Sequence, residues 1–279
     1  MKSIVKLVLL TALITTVWNV SVWAKDEKPT SSSNVEALHH PLRVISETED
    51  EKPSASANVG IFTKYIWRGY ELSDESIVIQ PSATIGYKGF SFNLWGNLDT
   101  DVDDATHDNQ FNETDWTLSY ATSSGPISFD MGYIYYGLDA IDDSEELYLS
   151  IGIDTILSPS VTIYREISHL PSWYVSLGIS HSVELSKGIT LDMAGSIGAY
   201  YSDDDSFTEF NSTDKYRDFH NGLFSIGLTI PLDKYFTISP TIAYSFGLTN
   251  EADDVISNTN LYSNDSDYFC GGVTVSLAF

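Results

Sequence analysis

The chain has 279 residues, with 14 Lys/Arg against 39 Asp/Glu and a net charge of −25. A balance this acidic excludes nucleic acid as a partner, since phosphate binding needs lysine and arginine, and it disfavours simple adsorption to anionic lipid. The single cysteine, Cys270, rules out a cystine-stapled scaffold.

Residues 1–24 read as a secretory signal peptide. Lys2 and Lys6 precede an apolar run from Leu7 to Trp18, and Val22-Trp23-Ala24 supplies a cleavage site after Ala24. The apolar run is shorter than the ~20 residues of a spanning helix, so a membrane anchor is the weaker reading. Cleavage leaves 12 basic against 39 acidic residues, a net charge of −27. Residues 25–54 are polar and rich in Pro and Ser, and are read as a flexible periplasmic leader. His39-His40 falls inside it as a solvated pair, with a weak metal site as the sharper alternative.

From residue 55 to Phe279 the pattern has period two, the signature of strands with two unlike faces. "NVGIFTKYIWR" places Val59, Ile61, Thr63, Tyr65 and Trp67 on one face, with Asn58, Phe62, Lys64, Ile66 and Arg68 on the other. Eleven further segments repeat the arrangement, from "SIVIQPSATIGY" to "YFCGGVTVSLAF". Their lengths suit tilted membrane strands of about 9–11 residues.

The connections separate a membrane barrel from a soluble sandwich. Every second one is tight, at 88–89, 123–126, 158–160, 185–188 and 231–234; those between are often long and acidic, at 99–112, 202–218 and 247–267. Sorted loops and an even strand count predict a twelve-stranded antiparallel outer-membrane β-barrel with both termini periplasmic. Aromatics gather at two rims, Tyr65, Trp67, Trp116, Tyr135, Trp173 and Tyr201 at one, and Tyr87, Phe90, Tyr120, Phe129, Phe236 and Phe279 at the other. The last strand ends in Phe279, which resembles the signal read by the bacterial barrel-insertion machinery. A secreted soluble all-β protein is the runner-up, but it would leave long apolar faces uncovered.

Parity sends Lys64 and Arg68 into the lumen with Asp115, Asp130, Glu146, Glu166 and Asp192. These are the candidate site residues. One reading is a salt-bridge network fixing the strands; the other is a charged constriction that selects solutes. Later strands contribute mainly Ser, Gly, Thr and Ala to the interior, and earlier ones supply bulk such as Trp95, Tyr148 and Tyr164. Arg165 interrupts an apolar face near the outer rim, where it can snorkel to the interface or meet a lipopolysaccharide phosphate.

Asp99, Asp101 and Asp103 invite a calcium reading. The EF-hand pattern fails, however, because Asp104 and Gln110 stand where glycine and glutamate are needed. What remains is loose divalent-cation binding at acidic loops, including 202–206 and 251–254, against a default of solvation. No motif requires a cofactor. His181 with Ser180 or Ser182 is the one catalytic candidate, and it has no evident orienting partner, so the expectation is that the chain is not an enzyme.

The first hairpin carries a resemblance. Trp67, Arg68, Gly69, Ser73, Asp74, Gln80 and Pro81 fall in an aromatic-Arg-Gly, Ser-Asp, Gln-Pro pattern over some thirty residues. It is similar to the opening of a proteobacterial family of uncharacterised outer-membrane β-barrel proteins. The resemblance implies a location rather than a chemistry. The expected role is a narrow passive channel for small solutes across the outer membrane; the alternative is a non-conducting structural or surface-interaction barrel with acidic cation-binding loops. Outer-membrane lipid and lipopolysaccharide are the expected surroundings.

Overall fold

The computed structural model describes residues 52–73, 75–100, 110–139, 141–259 and 262–279. The signal peptide, His39-His40, nearly all of the leader, Asp74, Asp101 and Asp103 lie outside them. In chain order the elements are β1 (Ser54–Phe62), β2 (Ile66–Trp67), β3 (Tyr70–Glu71), β4 (Val78–Tyr87), β5 (Phe90–Asp99), β6 (Gln110–Ser124) and β7 (Ile127–Leu138). There follow β8 (Ser144–Ile153), β9 (Ser160–Glu166), β10 (Ser172–Ser186), β11 (Ile189–Ser202), β12 (Arg217–Pro231), β13 (Phe236–Gly247), α1 (Asn250–Thr259) and β14 (Tyr268–Ala278).

Twelve of these strands, β1 and β4 to β14, form one closed antiparallel barrel in which sequence neighbours are spatial neighbours. The seam joins β1 to β14, with Ser56 opposite Ala278 and Phe62 opposite Gly272. Phe279 completes it: its N–H donates to Ala55 O and its carbonyl accepts from Ala55 N, both at 3.0 Å. Closure pairs every wall edge, as lipid requires. Among the described residues no helix is long and apolar enough to cross a membrane; the wall crosses with strands.

Alternation sorts the two faces. Ile61, Ile85, Leu94, Leu118, Leu147, Ile242 and Phe269 are exposed and form an apolar outer belt. A belt of this extent exceeds the patches that soluble monomers carry and matches a hydrocarbon environment. Two of the tight turns use the same device. Lys88-Gly89 and Lys187-Gly188 both have positive φ, the pair of left-handed residues that a two-residue hairpin loop demands.

The interior differs along the axis. At the long-loop end the inward side chains are buried, among them Trp95, Asp115, Tyr136, Glu146, Tyr174 and Tyr200. At the short-turn end Ser82, Thr84, Ser91, Ser180, Thr229 and Ser276 are only half-buried. The barrel is therefore filled in one half and lined with hydroxyls in the other.

Two segments do the filling, and both correct the reading by periodicity. β1 stops at Phe62, Thr63 still bonds Gly271 of β14, and residues 64–73 leave the wall and fold inward. Tyr65 is 2% exposed with its ring 5.8 Å from Trp95, and Trp67 lies 6.2 Å from Tyr136, so neither faces lipid as alternation predicted. The acidic stretch 251–254, expected as a solvated loop, is the first turn of α1. Acidic residues suit that position against the positive helix end. Ala252, Val255 and Ile256 of α1 are buried, with Ile256 joining Phe62, Tyr65, Ile66 and Trp95 in one cluster.

Candidate functional site

The in-folded segment is a miniature hairpin. β2 pairs with β3 through Ile66 opposite Glu71 and Trp67 opposite Tyr70. Its two-residue loop is Arg68-Gly69, with φ of 45° and 91°, the same left-handed pair as in the tight wall turns. Glycine meets this at no steric cost, whereas Arg68 bears strain that its contacts must offset. A Cβ at Gly69 would stand 3.0 Å from Ile256 Cδ1 and 3.1 Å from Asn221 Cβ, so α1 and β12 close over the turn.

The hairpin is tied down along its length. Cys270 Sγ donates to Lys64 O (3.2 Å), Tyr65 N donates to Ser73 Oγ (2.9 Å), and Leu72 N donates to Tyr65 O (2.7 Å). Lys64 forms an ion pair with Glu71 at the hairpin's own base. Glu71 was not a candidate residue, although its inward place opposite Ile66 follows once the Arg-Gly turn is recognised.

Arg68 sits at the tip. Its Nη1 and Nη2 donate to Glu146 Oε1 and Oε2 at 2.7 and 2.8 Å, a two-pronged pair whose side chains are 5% and 4% exposed. Tyr136 Oη donates to the same carboxylate at 2.9 Å. The guanidinium carbon lies 4.3 Å from the centre of the Tyr174 ring and 4.5 Å from those of Tyr164 and Trp67. Burial makes such cation–π contacts worth about 2 kcal/mol each rather than the smaller value at exposed sites.

The rings beneath Arg68 belong to a ladder. Tyr148, Tyr164, Tyr174 and Tyr200 are direct cross-strand partners on four successive strands. Centroid spacings along the row are 5.8, 6.1 and 4.7 Å. Gly198 makes room for it: a Cβ there would fall on the Tyr174 hydroxyl, which crosses β11 to donate to Asn221 Oδ1 on β12 at 2.8 Å. Pairing register built this row, and register was not available from one strand's alternation.

The remaining candidate residues serve the wall. Asp130 accepts from Tyr148 Oη at 2.9 Å. Glu166 accepts from the backbone N–H of Ser168 (2.9 Å) and His169 (3.0 Å), closing the turn beyond β9. Asp192 accepts from Ser182 (2.6 Å) and Thr229 (2.7 Å), joining β10, β11 and β12. Asp115 is fully buried, and its carboxyl has only the neighbouring Glu113 carboxyl as a side-chain partner. Of the seven, the structure joins only Arg68 and Glu146 directly to each other.

The rim groups find partners of their own. Arg165 pairs with Asp203 at 2.6 Å and lies over the Trp173 ring. Lys215 pairs with Asp205 at 2.9 Å, so the 202–206 loop is partly neutralised by protein cations. The Ser206 hydroxyl and N–H hold the Asp204 carboxyl below its ordinary value. In the loop between β7 and β8 the Tyr135 hydroxyl, and then the Leu138 N–H, do the same for Asp143. Asp99, one of the three aspartates that invited the calcium reading, is buried and accepts from Ser76. Among the described residues no three His, Cys, Asp or Glu side chains converge as a metal cluster. His181 bonds the Ile156 carbonyl at 2.6 Å and alternates to the face opposite Ser180 and Ser182.

Closed wall, apolar belt and sorted loops define an outer-membrane β-barrel, here with its long-loop end filled by its own first connection. The chain belongs to the family described as "Bacterial protein of unknown function (Gcw_chp)", whose model matches residues 47–245. A comparison with curated protein sequences returns no match. Among solved structures it is similar to the NanC porin, at 9% identity over 81% of this chain and 98% of that one, with a TM-score of 0.47. It is also similar to an outer-membrane channel from Pseudomonas putida F1, at 8% identity over 85% and 100%, with a TM-score of 0.45. A third is the outer-membrane phospholipase of Salmonella typhi, at 13% identity over 84% and 94%, with a TM-score of 0.41. None of these likenesses bears on activity.

Proposed function

We propose that this protein is a Gram-negative outer-membrane barrel closed to solute flow by its first hairpin, a non-enzymatic wall protein rather than a standing pore. The observation that carries the reading is the Arg68–Glu146 pair, buried inside a tyrosine ladder that spans four strands. A charged selectivity filter works in contact with water; this pair is removed from it and spends both carboxylate oxygens on one guanidinium. In this reading the short turns and both termini face the periplasm. The apolar belt meets lipid, the rim charges meet lipopolysaccharide, and the Phe279 strand is the piece handled by the insertion machinery. Acidic outer loops bind divalent cations loosely.

A second reading rests on the half-buried hydroxyls of the short-turn half. They would suit a narrow passive channel for small solutes whenever the hairpin leaves the lumen. Planar-bilayer conductance tests both. The wild-type protein should carry no steady current, and steady opening of the unmodified barrel would overturn the closed reading. Replacing residues 64–72 by a short Gly/Ser linker should open the barrel if the second reading holds. A silent linker variant that is demonstrably folded would leave only the non-conducting role.

A further inference from the structure

We infer that the inward face of β5 and β6 holds a binding site for a hard, oxygen-seeking cation of the Ca2+ type, built from Asp115, Thr117 and Asn93. Thr117 Oγ1 and Asn93 Oδ1 are buried there without a hydrogen-bond partner, and the Asp115 carboxyl meets only the neighbouring Glu113 carboxyl, which leaves its other oxygen unanswered. Asp115 is fully buried and Thr117 is 5% exposed. Asn93 stands directly opposite Thr117 across the strand pair, and Asp115 is two residues along on the same face. Neighbouring positions on one face put these side chains within reach of a common point.

The amide is turned for the purpose. Asn93 Nδ2 donates to Thr84 Oγ1 (2.8 Å), Ser82 Oγ (3.0 Å) and the Ala83 carbonyl (3.3 Å), all on β4. A backbone carbonyl accepts only from the NH2 group, so the amide oxygen is left toward β6. An orphaned buried oxygen is destabilising because its lost water is not replaced, and three adjacent residues bear that cost together.

A proton is the competing occupant. Glu113 lies two residues from Asp115 on the same buried face, and two such carboxyls cannot both ionise unless a proton or a cation comes between them. A shared proton answers one oxygen of each acid. It leaves the second oxygen of Asp115, Thr117 Oγ1 and Asn93 Oδ1 as they were. A cation taking six to eight oxygen ligands answers all of them, with carboxylate, amide carbonyl and hydroxyl oxygens of the kind Ca2+ accepts. The place also suits access, because Asn93 sits where the hydroxyl-lined half meets the filled half, so an ion can arrive from the short-turn end. This site is separate from the acidic outer loops and independent of whether the barrel conducts.

Trp95 is the direct cross-strand partner of Asp115 and supplies an optical reporter. The experiment titrates the folded, chelator-treated full-length barrel with Tb3+, exciting tryptophan and reading sensitised emission, with Ca2+ as competitor. Wild type should bind in a phase that Ca2+ displaces. Trp95→Phe should lose that emission while the Ca2+-dependent rise in unfolding temperature persists. Asp115→Asn and Thr117→Val should each weaken binding by at least about tenfold, since even indirect supports of metal ligands cost that much. Asp203→Asn/Asp204→Asn/Asp205→Asn in the outer loop should leave the phase unchanged. Emission that follows the loop variant instead would overturn the site. So would Asp115→Asn raising the unfolding temperature equally with and without Ca2+, the behaviour of a shared proton. Should Asp115→Asn not fold, the charge-neutral Thr117→Val and Trp95→Phe variants decide.

Discussion

Glu146 and Glu166 face each other directly across β8 and β9, and Arg68 reaches in from another part of the chain to answer one of them. Like charges opposite one another weaken a strand pair. Glu166 is relieved by the turn N–H groups of Ser168 and His169, while Glu146 depends on the hairpin. The hairpin's position and the integrity of that strand pair are thus one problem.

Arg68→Ala should destabilise the barrel by about 3–5 kcal/mol, because it leaves Glu146 buried and unpaired. Glu146→Gln in the same background should return part of that loss. Urea unfolding of the refolded protein in detergent, followed by tryptophan fluorescence, measures both. Equal midpoints for wild type and Arg68→Ala would contradict a buried lock.

Gly69→Ala adds a strained φ and a Cβ against Ile256, so it should cost about 1–3 kcal/mol. Gly69→Asn tolerates the left-handed region better and should lose less of that strain. If both variants unfold with wild type, the turn is not held as described.

Cys270 reports on the hairpin, since its thiol is buried against Lys64 O. A thiol reagent should label the folded wild type slowly and the Arg68→Ala variant markedly faster. Identical rates in the two would mean that the segment stays in place without Arg68.

Asp143 gives a pH dependence of known sign. Its folded carboxyl titrates below the ordinary aspartate range because Tyr135 and Leu138 donate to it. Its contribution is therefore present above the unfolded value of about 3.9 and is lost as pH falls through the depressed folded value. Carboxyl chemical shifts should show Asp143 protonating at lower pH than an unpaired aspartate. Tyr135→Phe should move that midpoint upward.

The wall was legible in the sequence because a strand with one face in lipid and one in a lumen must alternate, and the connections sorted themselves by length. Arg68 and Glu146 were legible as inward groups for the same reason. Tyr65 and Trp67 were misplaced because alternation holds only while the chain stays in the wall. The Arg-Gly dipeptide between Trp67 and Tyr70 was the missed sign, since the same left-handed pair ends strands at Lys88-Gly89 and Lys187-Gly188. The tyrosine ladder needs pairing registers between four strands, which no single strand records. In α1 the acidic residues masked Ala252, Val255 and Ile256, three apolar positions at helical spacing.

The seam between β1 and β14 has a consequence for how the mouth is made. The hairpin hangs from β1, and α1 hangs from the connection leading into β14, so the two filling segments sit on opposite sides of the β1–β14 seam. Ile256 of one lies against Gly69 of the other. The filling segments thus bridge the β1–β14 seam from inside the lumen, a second tie across the one joint where the two ends of the barrel chain meet.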